Sequence, residues 1–315
     1  MLRFVARRLV MLVTALLVSS FAIFGSLDLA PGDPLSTLSG GRTLPPEAAA
    51  QLRHQYNLDD PFPVRYWHWL TSALHGDLGT SIAYRDSVGS IISSRAGVTI
   101  DLVLYAAVII TVVGVGLGLL AGLRRGWIDS GILVTTSISA AVPSFVAAIL
   151  LLSVFSVNLG WFPALGAGDG LSGRIQHLTL PAIALAISAV AVVVRVTRVS
   201  VRGELGREHV QTAISRGIPS RKVIQRHVMR NAAIPVTTVV GITVTSLIAL
   251  SAVVERAFTL NGLGSTLVQA ALSKDFTVVQ GIALVFVAAF VVANAIVDLL
   301  YALLDPRVAM GSRAS

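Results

Sequence analysis

The sequence predicts an all-α, polytopic membrane protein with six transmembrane helices, and three observations carry that expectation. Of its 315 residues, 54% are hydrophobic and only 13% charged, and the mean hydropathy is +0.79, too apolar for an ordinary soluble domain. The apolar residues recur in runs of about 20, the length that crosses roughly 30 Å of hydrocarbon. These runs lack the period-two alternation of barrel strands, so helices are what satisfies their backbone groups in lipid.

The first run, Leu9 to Leu29, follows a basic start and resembles a signal peptide. It is long enough to span, and no clear small-residue cleavage site follows, so residues 1–30 read as an N-terminus and a retained first helix. Residues 31–97 form an external cap. Within it, Pro46 to Tyr56 and Val64 to His75 are expected to be short helices, separated by the turn residues Asp59, Asp60, Pro61 and Pro63. For Trp67 and Trp69 two readings stay open: rings at the headgroup level, or packing inside the cap. Residues 98–304 hold the other spans: Val98 to Leu123, Gly131 to Val157, His177 to Val196, Ala232 to Val254 and Val278 to Leu304. A long loop, 198–231, interrupts them, and residues 305–315 form a tail.

Charge orients the chain. Fifteen Lys and Arg residues fall on the side of the termini, the 124–125 turn and the 198–231 loop, against eight in the longer opposite loops. Both termini are therefore expected in the cytoplasm. The same bias explains the net charge of +8 without nucleic acid, since the basic residues are not interleaved with stacking aromatics. Cysteine is absent, which excludes disulfides and thiolate metal sites. The six histidines are scattered without i, i+4 pairing, so no metal box is expected.

The 198–231 loop has its own pattern. A helix over Leu205 to Ser215 is expected to stop at Gly217, which suits a left-handed position, with Pro219 blocking continuation. Ser220 then caps a second helix in which Val223, Ile224, His227 and Val228 recur at helical spacing, ending before Pro235 where the fifth span begins. Ala213 and Gly217 are small and four apart, which permits close approach of another backbone, while Ile218 and Val223 offer apolar contact. The pattern reads either as a docking knob or as a solvated connector.

The stretch Glu208-His-Val-Gln-Thr-Ala213-Ile-Ser-Arg-Gly217, with Arg226-His227, Asn231 and Pro235, resembles the EAA loop of ABC-importer permeases. The resemblance extends over nearly the whole chain, to the B-type permease of the dipeptide/oligopeptide/nickel branch. It is carried by Ala30-Pro-Gly-Asp-Pro34, by Leu58, Pro61 and Tyr66, by Gly76-Asp-Leu-Gly79 with Ser81, by Pro143-Ser-Phe145, and by Trp161-Phe-Pro163 with Gly166. It continues through His177-Leu-Thr-Leu-Pro181, Glu255 and Phe258 with Gly262-Leu-Gly264, Asp275 with Gln280-Gly281, Asp298-Leu-Leu-Tyr301 and Asp305-Pro-Arg307. Two positions depart from the family pattern: Asn261 stands where proline usually precedes Gly262, and Ile214-Ser215 replaces commoner basic and alanine residues.

The resemblance implies a type I (MetI-like) fold in the plasma (inner) membrane and import of short peptides. Nickel chelates, glutathione and haem are the alternative cargoes of the same family. It further implies pairing with a homologous permease, an external solute-binding protein, and two ATP-binding subunits that hold ATP and Mg. Glu208, Ala213, Gly217, Ile218, Arg226, His227 and Asn231 then make the ATPase contact. The chain has no GxxxxGK[ST] phosphate loop, so hydrolysis is expected on the partner, with no cofactor on this chain. The rival classes are an ion-coupled carrier, which needs a midplane cluster of coupling-ion groups, and a membrane scaffold.

Polar groups in apolar runs are functional hypotheses by default. Here Arg195, Asn294 and Asp298 lie toward the cytoplasmic ends, where snorkelling or a contact between subunits competes with cargo contact, and Asp101 lies at the external mouth. Pro143 kinks the third span, either lining a pathway or serving structure alone. Gly114, Gly116, Gly118 and Gly122 predict close helix packing.

Overall fold

The computed structural model describes residues 2–28, 45–47, 50–51, 59–81 and 83–304. The Ala30–Pro34 motif, Leu58, most of the expected 46–56 helix and the 305–315 tail lie outside them, as does the side chain of Asp298.

Ten helices make up the described chain: α1 Leu2–Asp28, α2 Phe62–Leu74, α3 Val88–Leu123, α4 Trp127–Ala141, α5 Ser144–Asn158, α6 Gly170–Leu205, α7 Glu208–Ser215, α8 Ser220–Ala257, α9 Leu263–Leu272 and α10 Phe276–Leu304. π-Helical segments interrupt α3 at Ile110–Gly114 and α8 at Ile224–Val228, and another ends α5 at Leu152–Asn158. By length and composition α3, α6, α8 and α10 suffice to cross a membrane, and α4 with α5 makes a fifth crossing if the bent pair is one span. The apolar part of α1, Val10–Ser26, is a shorter helix, so the six full spans of the sequence reading become four or five plus α1.

Helix α6 is the hub. Two-thirds of its apolar window (67%) is buried within this chain, against 17–28% for the other long helices. Those others therefore keep faces for lipid or further protein. Helices α3, α4, α5 and α8 surround it, α10 packs on α8, and α1 packs on α10. The glycine series of α3 sets the closest approach. A Cβ on Gly114, Gly118 or Gly122 would fall 2.8, 2.5 and 2.8 Å from Val193, Thr197 and Val201 of α6. Both triplets step by four in the same direction, so the helices run parallel with backbones in contact. Gly116 faces open space and belongs to no such contact.

Several boundaries differ from the sequence reading. Helix α3 starts at Val88, ten residues before Val98, because Ser87 caps it by accepting from the Ser90 N–H at 3.2 Å. At Pro143 the chain bends by 98° between α4 and α5, as a broken span or a re-entrant loop. Helix α8 runs through Pro235 because a missing N–H costs one backbone bond, which the helix on either side outweighs. Its first residue is Ser220, and the N-cap is Pro219, whose carbonyl accepts from Lys222 and Val223; the Ser220 side chain caps nothing.

In the cap, α2 matches the expected 64–75 helix within a turn. Phe21 and Phe24 of α1 meet Phe62 and Tyr66 at ring distances of 5.2–5.7 Å, and the Tyr66 hydroxyl lies 2.8 Å from Ser20 Oγ. Trp69 packs on Phe24 at 5.5 Å. Trp67 is 63% exposed, so of the two tryptophans only Trp69 packs within the cap.

Candidate functional site

At the arginine-rich end, α6 outruns any bilayer: 36 residues at about 1.5 Å each make roughly 54 Å, against roughly 30 Å of hydrocarbon. Its projecting end is held by Asp129 of α4. Arg198 donates from Nε and Nη2 to the two Asp129 carboxylate oxygens at 2.5 and 2.8 Å, and Arg202 adds a bond of 2.7 Å. Arg202 also donates to the carbonyls of Ala121 and Arg124 at 3.1 Å, satisfying the C-terminus of α3. These arginines read from sequence as topology signals alone. Their structural use was hidden because Asp129 lies 69 residues away from Arg198.

Beyond Leu205 the chain turns into α7. Val210 and Ala213, three apart, point inward and join Val201, Val223, Val228 and Ala232 in a small apolar core, with Leu119, Leu205 and Ile218 against it. Val223 and Val228 are five apart, which places them on one face only because the intervening turn is π-helical. Val223 is buried in this core and Ile218 is half-buried against it, so both help to seat the loop on its own spans. Ala213, 5% exposed, is used the same way.

Gly217 has φ of +73° and open space around its absent Cβ. Its glycine serves the turn, with the Ile218 N–H closing back on the Ala213 carbonyl at 3.2 Å. The outward face of α7 is polar: Glu208, Gln211, Thr212, Ser215 and Arg216 line an open pocket of about 580 Å³ with Gly206, and Ile214 beside it is 50% exposed. Arg226 is exposed. His227 and Asn231 turn toward the loop itself: the Asn231 side-chain amide donates to the His227 carbonyl at 3.0 Å and to Glu204 at 3.3 Å. Glu208 is thus the one singled-out residue of α7 whose side chain faces outward.

The remaining candidates disperse. Asp101 forms an ion pair with Arg174, tying α3 to the start of α6. Arg195 donates to Ser137 Oγ at 2.9 Å. Asn294 donates to the carbonyl of Phe290 in its own helix at 2.9 Å. Pro143 stands at the α4–α5 turn.

At the opposite end, motif residues assemble into two buried polar clusters. Glu255, fully buried, accepts from Thr99 Oγ1 at 2.7 Å and from the Ser265 N–H at 2.9 Å. Thr99 Oγ1 in turn accepts from the Leu263 N–H at 2.8 Å. A Cβ on Gly262 would sit 2.4 Å from the Glu255 carboxylate, so only glycine fits there. In the second cluster Asp275 accepts from Ser81 Oγ at 2.5 Å and the Ala83 N–H at 3.0 Å. Gly79, at φ +85°, lies against Thr277. His177 bonds the carbonyls of Leu165 and Gly166 at 3.1–3.2 Å, fixing the α5–α6 connection.

These features agree with comparisons to known proteins. The description "binding-protein-dependent transport system inner membrane component" matches residues 114–310, and its N-terminal counterpart matches residues 1–103. The chain is 37% identical over 308 residues to a putative peptide transport system permease protein of Brucella abortus, covering 96% of this chain and 98% of that one. It is 35% identical over 313 residues to the glutathione transport system permease protein GsiC of Salmonella choleraesuis, covering 98% and 99%. A solved structure of the MetNI methionine ABC transporter in inward-facing conformations superposes with a TM-score of 0.52 at 15% identity, over 66% of this chain and 95% of that one. At that identity the match speaks for the fold alone, which is MetI-like. The chain belongs to the inner membrane permease components of binding-protein-dependent ABC importers.

Proposed function

We propose that this chain imports short peptides as one of two permease subunits, driven by separate ATPase subunits that seat on the outward face of α7. The observation that carries the coupling reading is the division of α7. Val210 and Ala213 fix one face to the chain's own core, while Glu208, Gln211, Thr212, Ile214, Ser215 and Arg216 present the other around an open pocket. A polar, self-braced helix projecting beyond the bilayer fits a partner's groove better than it fits a simple connector. Both termini and α7 lie in the cytoplasm, by the charge bias. ATP and Mg bind on the two partners, and a solute-binding protein delivers cargo to the cap face.

ATP binding draws the two ATPases together and displaces α7. Helix α6, and α8 through one π-helical turn, run from that loop into the membrane, so they carry the displacement to the core as levers. Peptide cargo is supported by the 37%-identical relative, whose name is peptide transport permease. Glutathione, itself a tripeptide, is the second reading, supported by the 35%-identical relative.

The test is reconstitution of the assembled transporter in proteoliposomes with its binding protein, measuring uptake of labelled dipeptides, longer peptides and glutathione. ATP-dependent accumulation of a short peptide is expected. Uptake without ATP, or uptake by this chain lacking any ATPase subunit, contradicts the reading.

A further inference from the structure

The Glu204 carboxylate, at the end of α6, joins three helices at one point. Its side chain is only 16% exposed. Oε2 lies 3.3 Å from Asn231 Nδ2 of α8 and 3.7 Å from His209 Nε2 of α7, and Oε1 lies 3.5 Å from Arg207 Nε at the α6–α7 turn. Asn231 Nδ2 and His209 Nε2 are also 3.4 Å apart, and the His209 and His227 rings lie 6.3 Å apart, tilted by 50°. Gln211 adds a bond of 2.8 Å to the Leu205 carbonyl. The apolar core beneath α7 is small, its buried members all valines and alanines, and apolar contact carries no direction. This clasp gives directional contact between α7 and both long helices.

We propose that Glu204 is a positioning residue for energy coupling, holding the first turn of α7 and the base of α8 to the end of α6 so that a displacement of α7 moves both levers together. The proposal rests on α7 being the ATPase contact. Glu204 takes no part in that contact: it stands behind α7, and Glu208, Ile214 and Arg216 present the outer surface. Removing it should leave the ATPases bound and turning over while cargo movement falls behind.

The test uses the complete transporter in proteoliposomes, scoring retention of the ATPase subunits, ATP hydrolysis, and transport events per ATP. For Glu204→Ala, retained subunits and a fall in transport per ATP of about five-fold or more are expected, the lower end of an allosteric coupling energy. The cargo KM should stay within about twofold, since the substrate is not contacted. Glu204→Gln keeps an acceptor for Asn231 and should recover more than half of the coupling. Asn231→Ala should reproduce the loss, and the double variant should be no worse than the worse single one, as members of one network are non-additive. Unchanged transport per ATP in Glu204→Ala, additive losses in the double variant, or loss of the ATPase subunits from both Glu204 variants would overturn the proposal. Failure of the underlying reading shows separately: Ile214→Asp would then leave ATPase binding and uptake intact.

Discussion

Thr99 shows how much one hydroxyl holds at residue scale. It donates to Glu255 and accepts from the Leu263 N–H, both buried, and so joins α3, α8 and α9. Thr99→Val keeps the shape and removes both bonds, leaving a buried carboxylate and a buried N–H short of a partner, each worth about 1–3 kcal/mol. A lowered unfolding temperature in detergent is expected, with Thr99→Ser close to the parent; equal melting of the Val and parent proteins would contradict the role. Such residues were legible from sequence only as members of motifs. Thr99 and Glu255 are 156 residues apart, and Ser81 and Asp275 are 194 apart. Nothing in a single chain pairs them, which is why Glu255 and Asp275 carried a resemblance without carrying a role. Asp129 and Thr99 were missed for the same reason.

At the scale of elements, periodicity served best where a helix packs along its whole length. The α3 glycines predicted close packing, and Gly114, Gly118 and Gly122 meet Val193, Thr197 and Val201. Gly118→Ala puts a Cβ 2.5 Å from Thr197 Cβ, an overpacking worth about 1–3 kcal/mol. Gly116→Ala meets nothing and should match the parent. Thermal unfolding of the two side by side checks the register, and equal loss from both would contradict it. Periodicity failed where hydrogen bonding leaves the α pattern. The π-helical turn at Ile224–Val228 buries Val223 and Val228 together, although they are five apart and an α pattern sets them on different faces. Likewise Pro143 signalled a bend but not its size, 98°.

For the whole molecule, the exposed faces of α3, α8 and α10 and the modest burial of their apolar windows fit a subunit completed by lipid and by other chains. The fold class was legible because apolar run length acts through the bilayer, which reads composition directly. The lever arrangement was not, since it depends on α6 and α8 outrunning the membrane and being clasped at one end. The central claim is that the outward face of α7 meets the ATPase in the cytoplasm. Because the chain has no cysteine, Ile214→Cys gives one addressable site on that face. In the assembled transporter, bifunctional thiol reagents should crosslink it to an ATPase subunit bearing a cysteine in its groove, and an impermeant maleimide should not reach it from outside intact cells. Labelling from outside, or no crosslink in a complex that still transports, would contradict the account.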